Sequence, residues 1–311
     1  MTNYEPEESK ELSVEDIIQQ FLTSLIAHGR SQNTIRNYRK FLLDFHAFLT
    51  TNVFNGDYRI EEVTAHELEQ YFHYLKTEKH NSSKTIYTKL TSIQSFYNYM
   101  ERRGYCTKNV PRTMGRISVE KKEREYLTME EMARLLACID HPVILAVCST
   151  ILYAGLRISE VCNLKKADVD LQNMELFVHL GKGKKDRILP ISEELGEILL
   201  EYKAGSSYNQ SEYFFATAHS KGHISHQYVN ACIGKYVKKA GIQKHISAHN
   251  LRHSYASALA TNGCSVVAIQ KLLGHSSLKT TSIYTHTSKQ ELVDSVNSLN
   301  LKGDGEHATV R

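Results

Sequence analysis

The stretch MELFVHLGKGKKDRILPI, Met174–Ile191, is the one strand-forming episode in a chain otherwise patterned for helices. Two β-rich runs, Leu176–Leu180 and Arg187–Ile191, flank a Gly181-Lys182-Gly183 turn, an arrangement that predicts a hairpin. That hairpin makes the second half of the chain α+β instead of all-α. Downstream of a YFFAT segment, helices are expected at about 226–240, 248–262, 265–274 and 278–286, with a last one at 288–299. Upstream, Val14, Ile17, Ile18, Phe21, Leu22 and Leu25 mark the buried face of a first helix, with Ser13 as its N-cap. A second helix follows from Ser31, turning Ile35, Tyr38, Leu42, Phe45 and Leu49 inward. Two more are expected at about 64–78 and 83–103, so the first ninety or so residues form a small all-α domain.

Between these halves the helical pattern breaks. RRGYCTKNVPRTMGRISVEKKERE, Arg102–Glu125, contains Gly104, Pro111 and eight basic residues opposed by three glutamates. It reads either as a solvated linker or as a strap across a phosphate backbone. The expected division is an acidic tail at 1–11, a helical domain at 12–103, a basic linker at 104–125 and a second domain at 126–287. A C-terminal helix and tail take 288–311. The net charge of +4 conceals an asymmetry: residues 1–16 hold six acids and one lysine, a net of −5, which leaves +9 on the remainder. Such a surplus favours a polyanionic partner.

At 311 residues the chain can bury two cores, and 41% apolar with 23% charged residues is ordinary for a globular protein. No apolar run approaches the roughly 20 residues of a membrane helix, and the N-terminus lacks a signal-peptide pattern, so a cytoplasmic location without membrane attachment is expected. The six cysteines are scattered without a CxxC pair and read as thiols, not as disulfide staples or a zinc site.

Four short stretches carry chemistry. In YAGLRISEVCNL, Arg157 and Glu160 stand three apart at the start of a helix; in GKGKKDR, Lys182 sits on the hairpin turn. In SAHNLRHSYAS, His249 and Arg252 share a helical face near an N-terminus that Ser247 can cap. In LLGHSSLKTTSIYTH, His275 precedes Tyr284 by nine residues. These groups suit attack on a phosphodiester. Arginine forks match the non-bridging oxygens of the transition state, a tyrosine can be the nucleophile, and a lysine and a histidine can move the two protons. Taken singly each stretch has a plainer reading, since an Arg–Glu pair at this spacing is usually a surface salt bridge. A zinc site on His245, His249 and His253, or on His219, His223 and His226, is the rival. Asn250 stands where a zinc-hydrolase helix needs glutamate, and cationic Arg252 lies between the histidines.

Together and in this order, the stretches resemble the tyrosine recombinase (phage integrase) family from about Ser13 to Leu299, and SQNTIRNYRKFLLDF is similar to the second helix of that family's DNA-clamping domain. The resemblance implies a mainly α protein, with an N-terminal four-helix, SAM-like core-binding domain and a C-terminal α+β catalytic domain. It implies Arg157, Lys182, His249, Arg252, His275 and the nucleophile Tyr284 as catalytic residues. Arg157 and Arg252 would hold phosphate oxygens, Lys182 would be the general acid and His249 the base or proton shuttle. His275 would donate to a phosphate oxygen, and Glu160 would orient Arg157. Lys184, Lys185 and Arg187 are expected as backbone contacts or solvated charge. No cofactor and no metal are implied, because one phosphodiester replaces another.

The implied partners are a double-stranded recombination site, a dimer of this chain on each site, a tetramer in the synapse and, left open, an activating protein. The product path runs through a 3′-phosphotyrosine and a Holliday junction. A short segment before the first helix points to a compact, Xer-like member that resolves chromosome or plasmid dimers. Integration or transposition of a mobile element, a type IB topoisomerase and a DNA-binding protein with a silent site are the alternatives. Along one helix, nine residues would put His275 and Tyr284 on opposite faces; a break at Ser276-Ser277 would let both face one pocket. The last helix either covers its own core or docks on a neighbouring subunit.

Overall fold

A computed structural model describes residues 12–115, 125–179, 186–205, 211–216, 222–274, 289–299 and 301. The chain divides into two compact units, Met1–Lys122 and Glu123–Arg311.

The first unit is built on four long helices, α1 (Val14–Ala27), α2 (Gln32–Phe48), α3 (Ala65–Thr77) and α4 (Ser83–Arg103), with a single turn, α5 (Val110–Thr113). Their starts are set by hydroxyl caps. The Ser13 hydroxyl accepts from the Asp16 N–H, and the Asp16 carboxylate accepts from the Ser13 N–H in return. Ser31, Thr64 and Ser82 cap the next three long helices. Gly104, in the left-handed region at φ 78°, ends α4. The helix α2 runs on into a π-type turn over Leu49–Val53, which keeps Leu49 fully buried. Aromatic rings fill the core: Phe21 meets Tyr38, Phe96 and Tyr99 at centroid distances of 5.3–5.8 Å, and Tyr71 lies against Phe45 and Phe48. Beyond Gly104, Tyr105, Cys106, Val110 and Met114 pack on this same core, so the start of the basic stretch is anchored and not solvated.

In the second unit the order is α6 (Met129–Cys138), α7 (Pro142–Ala154), α8 (Ile158–Cys162), strands β1 (Val169–Asp170), β2 (Glu175–Val178) and β3 (Arg187–Pro190). Five further helices follow: α9 (Glu193–Gly205), α10 (His226–Lys239), α11 (Ala248–Thr261), α12 (Val266–Leu273) and α13 (Lys289–Asn297). Helix α7 is apolar all round and is the centre of the core, with α11, α9, α10 and α6 packed about it. The hairpin expected at Met174–Ile191 is present, with Glu175 opposite Pro190 and Val178 opposite Arg187. Leu176, Val178 and Leu189 face inward, while Ile188 is exposed. The two-residue β1 adds a third antiparallel strand beside β2 that alternation could not reveal. Helix α13 packs on α12 and β3 of its own unit; Val296 within it and Leu299 just after it are 0% and 1% exposed. Burial of each such side chain contributes on the order of 1.5–3 kcal/mol. Among the described residues no helix is long and apolar enough to cross a membrane.

One glycine fixes how α7 meets α11. Gly155 ends α7 at φ 63°, and a Cβ placed there would lie 2.4 Å from two ring carbons of the fully buried Tyr255. Gly155→Ala therefore combines a left-handed penalty with overpacking and is expected to destabilise the second unit by about 2–4 kcal/mol. The check is a lower urea midpoint for that unit's transition at unchanged slope.

Candidate functional site

The site begins where α7 ends. The left-handed turn at Gly155 reverses the chain, Leu156 is buried, and Arg157 becomes the N-cap of α8. Glu160, three residues on, reaches back to that cap. One oxygen accepts from the Arg157 backbone N–H at 2.8 Å and the other from its guanidinium Nη1 at 2.7 Å. The pair is no surface salt bridge, because the Glu160 side chain is only 6% exposed. Arg157 itself is 35% exposed and also points Nη2 at the Gly274 carbonyl, 3.4 Å away.

Two more arginines close on the same carboxylate. From β3, Arg187 donates to both Glu160 oxygens, at 3.2 and 2.9 Å. From α11, Arg252 brings Nη1 to 3.8 Å of Glu160 while donating to the carbonyls of Gly155 and Leu273. Arg252 thereby ties the end of α7 to the end of α12 from a position 7% exposed. Burial alone would raise the Glu160 pKa. The hydrogen bonds from Arg187 and then Arg157 more than reverse this, taking it down to about 2. Burial, then repulsion from Arg157, lowers Arg252 to about 10 against the pull of Glu160. Glu160 and Arg252 are thus charged at neutral pH. Three guanidiniums around one carboxylate leave two positive charges uncompensated among the described residues, an arrangement that attracts an anion. A cleft of about 680 Å³ lined by Arg157, Glu160, Lys165, Asp168 and His179 opens beside it.

His249 lies in the first turn of α11, exposed, one turn before Arg252. Ser247 is the N-cap, as expected, but the cap is made by Asn250, whose carboxamide oxygen accepts from the Ser247 N–H and hydroxyl at 3.0 and 2.6 Å. The amide end of Asn250 donates to the Glu125 carbonyl. His253, the rival metal ligand, stacks on Tyr126 with centroids 5.7 Å apart. Among the described residues no group of three His, Cys, Asp or Glu is arranged to hold a metal ion. Lys182, His275 and Tyr284 lie outside the described residues, as does the Ser276-Ser277 break. What is described is the end of α12: Gly274, at φ 62°, stops that helix one residue before His275.

Arg187 corrects the sequence reading. Its side chain is 10% exposed and ion-paired, not solvated. The signal was present: strand alternation places Arg187 on the face of the buried Leu189 and Ile191. His179 was also missed. Its ring bridges Asp186 at 3.1 Å and Asp168 at 3.0 Å, and these carboxylates, Asp186 first, raise its pKa above the ordinary value. His179 and Asp186 bracket the segment holding Lys182, a symmetry legible only once the two strands are paired.

Residues 125–291 match the phage integrase family, and residues 18–138 match the phage integrase N-terminal SAM-like domain. A tyrosine recombinase of Thermosipho africanus is 32% identical over 293 residues, spanning 91% of this chain and 100% of the relative. The tyrosine recombinase XerA of Thermococcus kodakarensis is 32% identical over 290 residues, spanning 89% and 93%. In fold, the chain is similar to a lambda integrase dimer bound to a COC′ core site, with a TM-score of 0.71 at 18% identity over 96% of this chain and 80% of that one. A lambda integrase tetramer bound to a Holliday junction gives 0.72 at 17% identity, over 92% and 86%.

Proposed function

Because this chain belongs to the phage integrase family of tyrosine recombinases, we propose that the three-arginine site holds a DNA phosphodiester while Tyr284 attacks it. The observation that carries this reading is the doubly positive, buried cluster around Glu160. A phosphorane transition state gains negative charge on two non-bridging oxygens, and preorganised guanidiniums stabilise that gain where water is scarce. Arg157 and Arg252 are the phosphate clamp, and Glu160 orients Arg157. The Tyr284 oxygen forms a bond to phosphorus as the bond to the 5′ oxygen breaks. His249 accepts the phenol proton, Lys182 gives a proton to the leaving oxygen, and His275 donates to the phosphate.

The 3′-phosphotyrosine then yields to the 5′ hydroxyl of a partner duplex, giving a Holliday junction that a second pair of protomers resolves. The helical domain and basic linker clamp the duplex, with two protomers on each site and four in the synapse. Relatives named XerA and XerC, matched over most of their length, support resolution of chromosome or plasmid dimers in the cytoplasm as the biological role.

The test is covalent trapping on nicked duplexes tiled from the replicon that carries the gene, in EDTA. Wild type is expected to form an adduct at one recurring site. Arg157→Ala is expected to slow its formation by about 10²–10³-fold with little loss of affinity. Strict dependence on a divalent ion, or loss of binding in Arg157→Ala, would overturn the assignment.

A further inference from the structure

We propose that Arg187 is a positioning residue: it holds the Glu160 carboxylate by a complete fork, so that Arg157 keeps its charge and spare N–H groups for a DNA phosphate. The effect on cleavage rests on the function proposed above, whereas the Arg187–Glu160 linkage stands without it. A carboxylate offers one full two-oxygen face to a guanidinium fork. Arg187 takes that face, with Nη1 on Oε1 and Nη2 on Oε2 at 3.2 and 2.9 Å. The Arg157 side chain meets Oε1 alone, and Oε2 is occupied on that side by the Arg157 backbone N–H. Without Arg187, the more exposed Arg157 could close a fork of its own and become a neutral pair, poorly suited to an anion.

Arg187 is fixed in this task. Its Nε is buried without a hydrogen-bond partner among the described residues, a state that a solvated arginine avoids. Its guanidinium lies flush on Gly274, where a Cβ would come within 2.9 Å of Nη1. The remaining charged groups facing Glu160 among the described residues are Arg157, at the N-cap of α8, and Arg252, from α11. Arg187 follows Lys182 by five residues and packs on the residue before His275, so one side chain connects three catalytic stretches in the proposed site.

The experiment compares Arg187→Met, Arg187→Lys, Glu160→Gln and Arg187→Met/Glu160→Gln in the full chain, reading two quantities. One is the thermal midpoint without DNA from about pH 3 to 7, which brackets an ordinary carboxylate. The other is the rate of adduct formation on the nicked duplexes. Arg187→Met is expected to slow the adduct about 10–100-fold at unchanged affinity, in the range typical of residues that orient a ligand. It should also move the acid loss of midpoint and of rate to higher pH, because Glu160 then takes up its proton sooner. Arg187→Lys should recover part of both, since a point charge replaces the fork. In the Glu160→Gln background Arg187→Met should cost little more.

Additive losses in the double variant, or an unmoved acid limb, would overturn the proposal. Weaker binding with a shallower salt dependence would do so too, by making Arg187 a direct phosphate ligand. If wild type forms no adduct anywhere, the functional reading fails, and the pH dependence of the midpoint still decides the linkage. Should Arg187→Met not fold, Arg187→Lys carries the same comparisons.

Discussion

Tyr284→Phe is expected to abolish the covalent protein–DNA adduct, a loss on the order of 10⁴-fold or more, while DNA affinity stays as in wild type. The substitution removes only the hydroxyl, so a fall in affinity would mean that Tyr284 supports the binding surface instead. The chain has 18 tyrosines, and the control lies among them. Tyr255, one turn after Arg252, is the competitor by sequence proximity. It is fully buried, its hydroxyl has no hydrogen-bond partner among the described residues, and burial pushes its pKa up, so it is a poor nucleophile. An adduct that persists in Tyr284→Phe, mapped by mass spectrometry to another tyrosine, would transfer the role and sink the assignment.

Glu160→Gln carries the largest expected effect on stability. The substitution keeps the shape of the side chain and removes the one negative charge that the described residues place among three clustered guanidiniums. Breaking a buried ion pair by removing one partner costs about 3–5 kcal/mol, because the remaining charge is left uncompensated. The pKa gives an independent figure. Lowering a carboxyl from 4.5 to about 2 on folding corresponds to about 3 kcal/mol.

The sign follows from the depression: this stabilisation is present above the unfolded pKa of 4.5 and lost as pH falls towards about 2. Glu160→Gln should therefore lower the unfolding free energy of the second unit at neutral pH and flatten its acid dependence. Inorganic phosphate should restore the variant more than it stabilises wild type, since the anion can sit where charge is missing. A change below about 1 kcal/mol, in the range of exposed pairs, would show that Glu160 is not the centre of the cluster.

Much of the helical framework was legible because its signals are local. Ser13, Ser31 and Ser247 were readable as caps or helix starts, since a capping hydroxyl acts within one turn. The apolar faces of α1 and α2 follow spacings that a one-dimensional string preserves. The hairpin was readable from two β-rich runs about a glycine turn, but β1 was not, since two residues carry no period. That the start of the basic stretch packs on the helical core was not legible, because the sequence cannot tell that Val110 and Met114 have a core within reach. In the site, Arg157 and Glu160 were paired by their spacing of three, yet the plain reading of that spacing was a surface bridge.

By itself, then, the amino-acid sequence determined which residue types stand in which order: helices with their caps, one hairpin, and the arginine, lysine, histidine and tyrosine stretches that identify the family. Tertiary structure alone decided the electrostatics. Arg157, Arg187 and Arg252 are separated by 30 and 65 residues and reach one carboxylate only because α8, β3 and α11 pack about the end of α7. Charge interactions depend on distance and burial, neither of which is a property of position along the chain. That is why Arg187 looked like surface charge in sequence, and why Glu160, an ordinary glutamate by composition, is held near pKa 2.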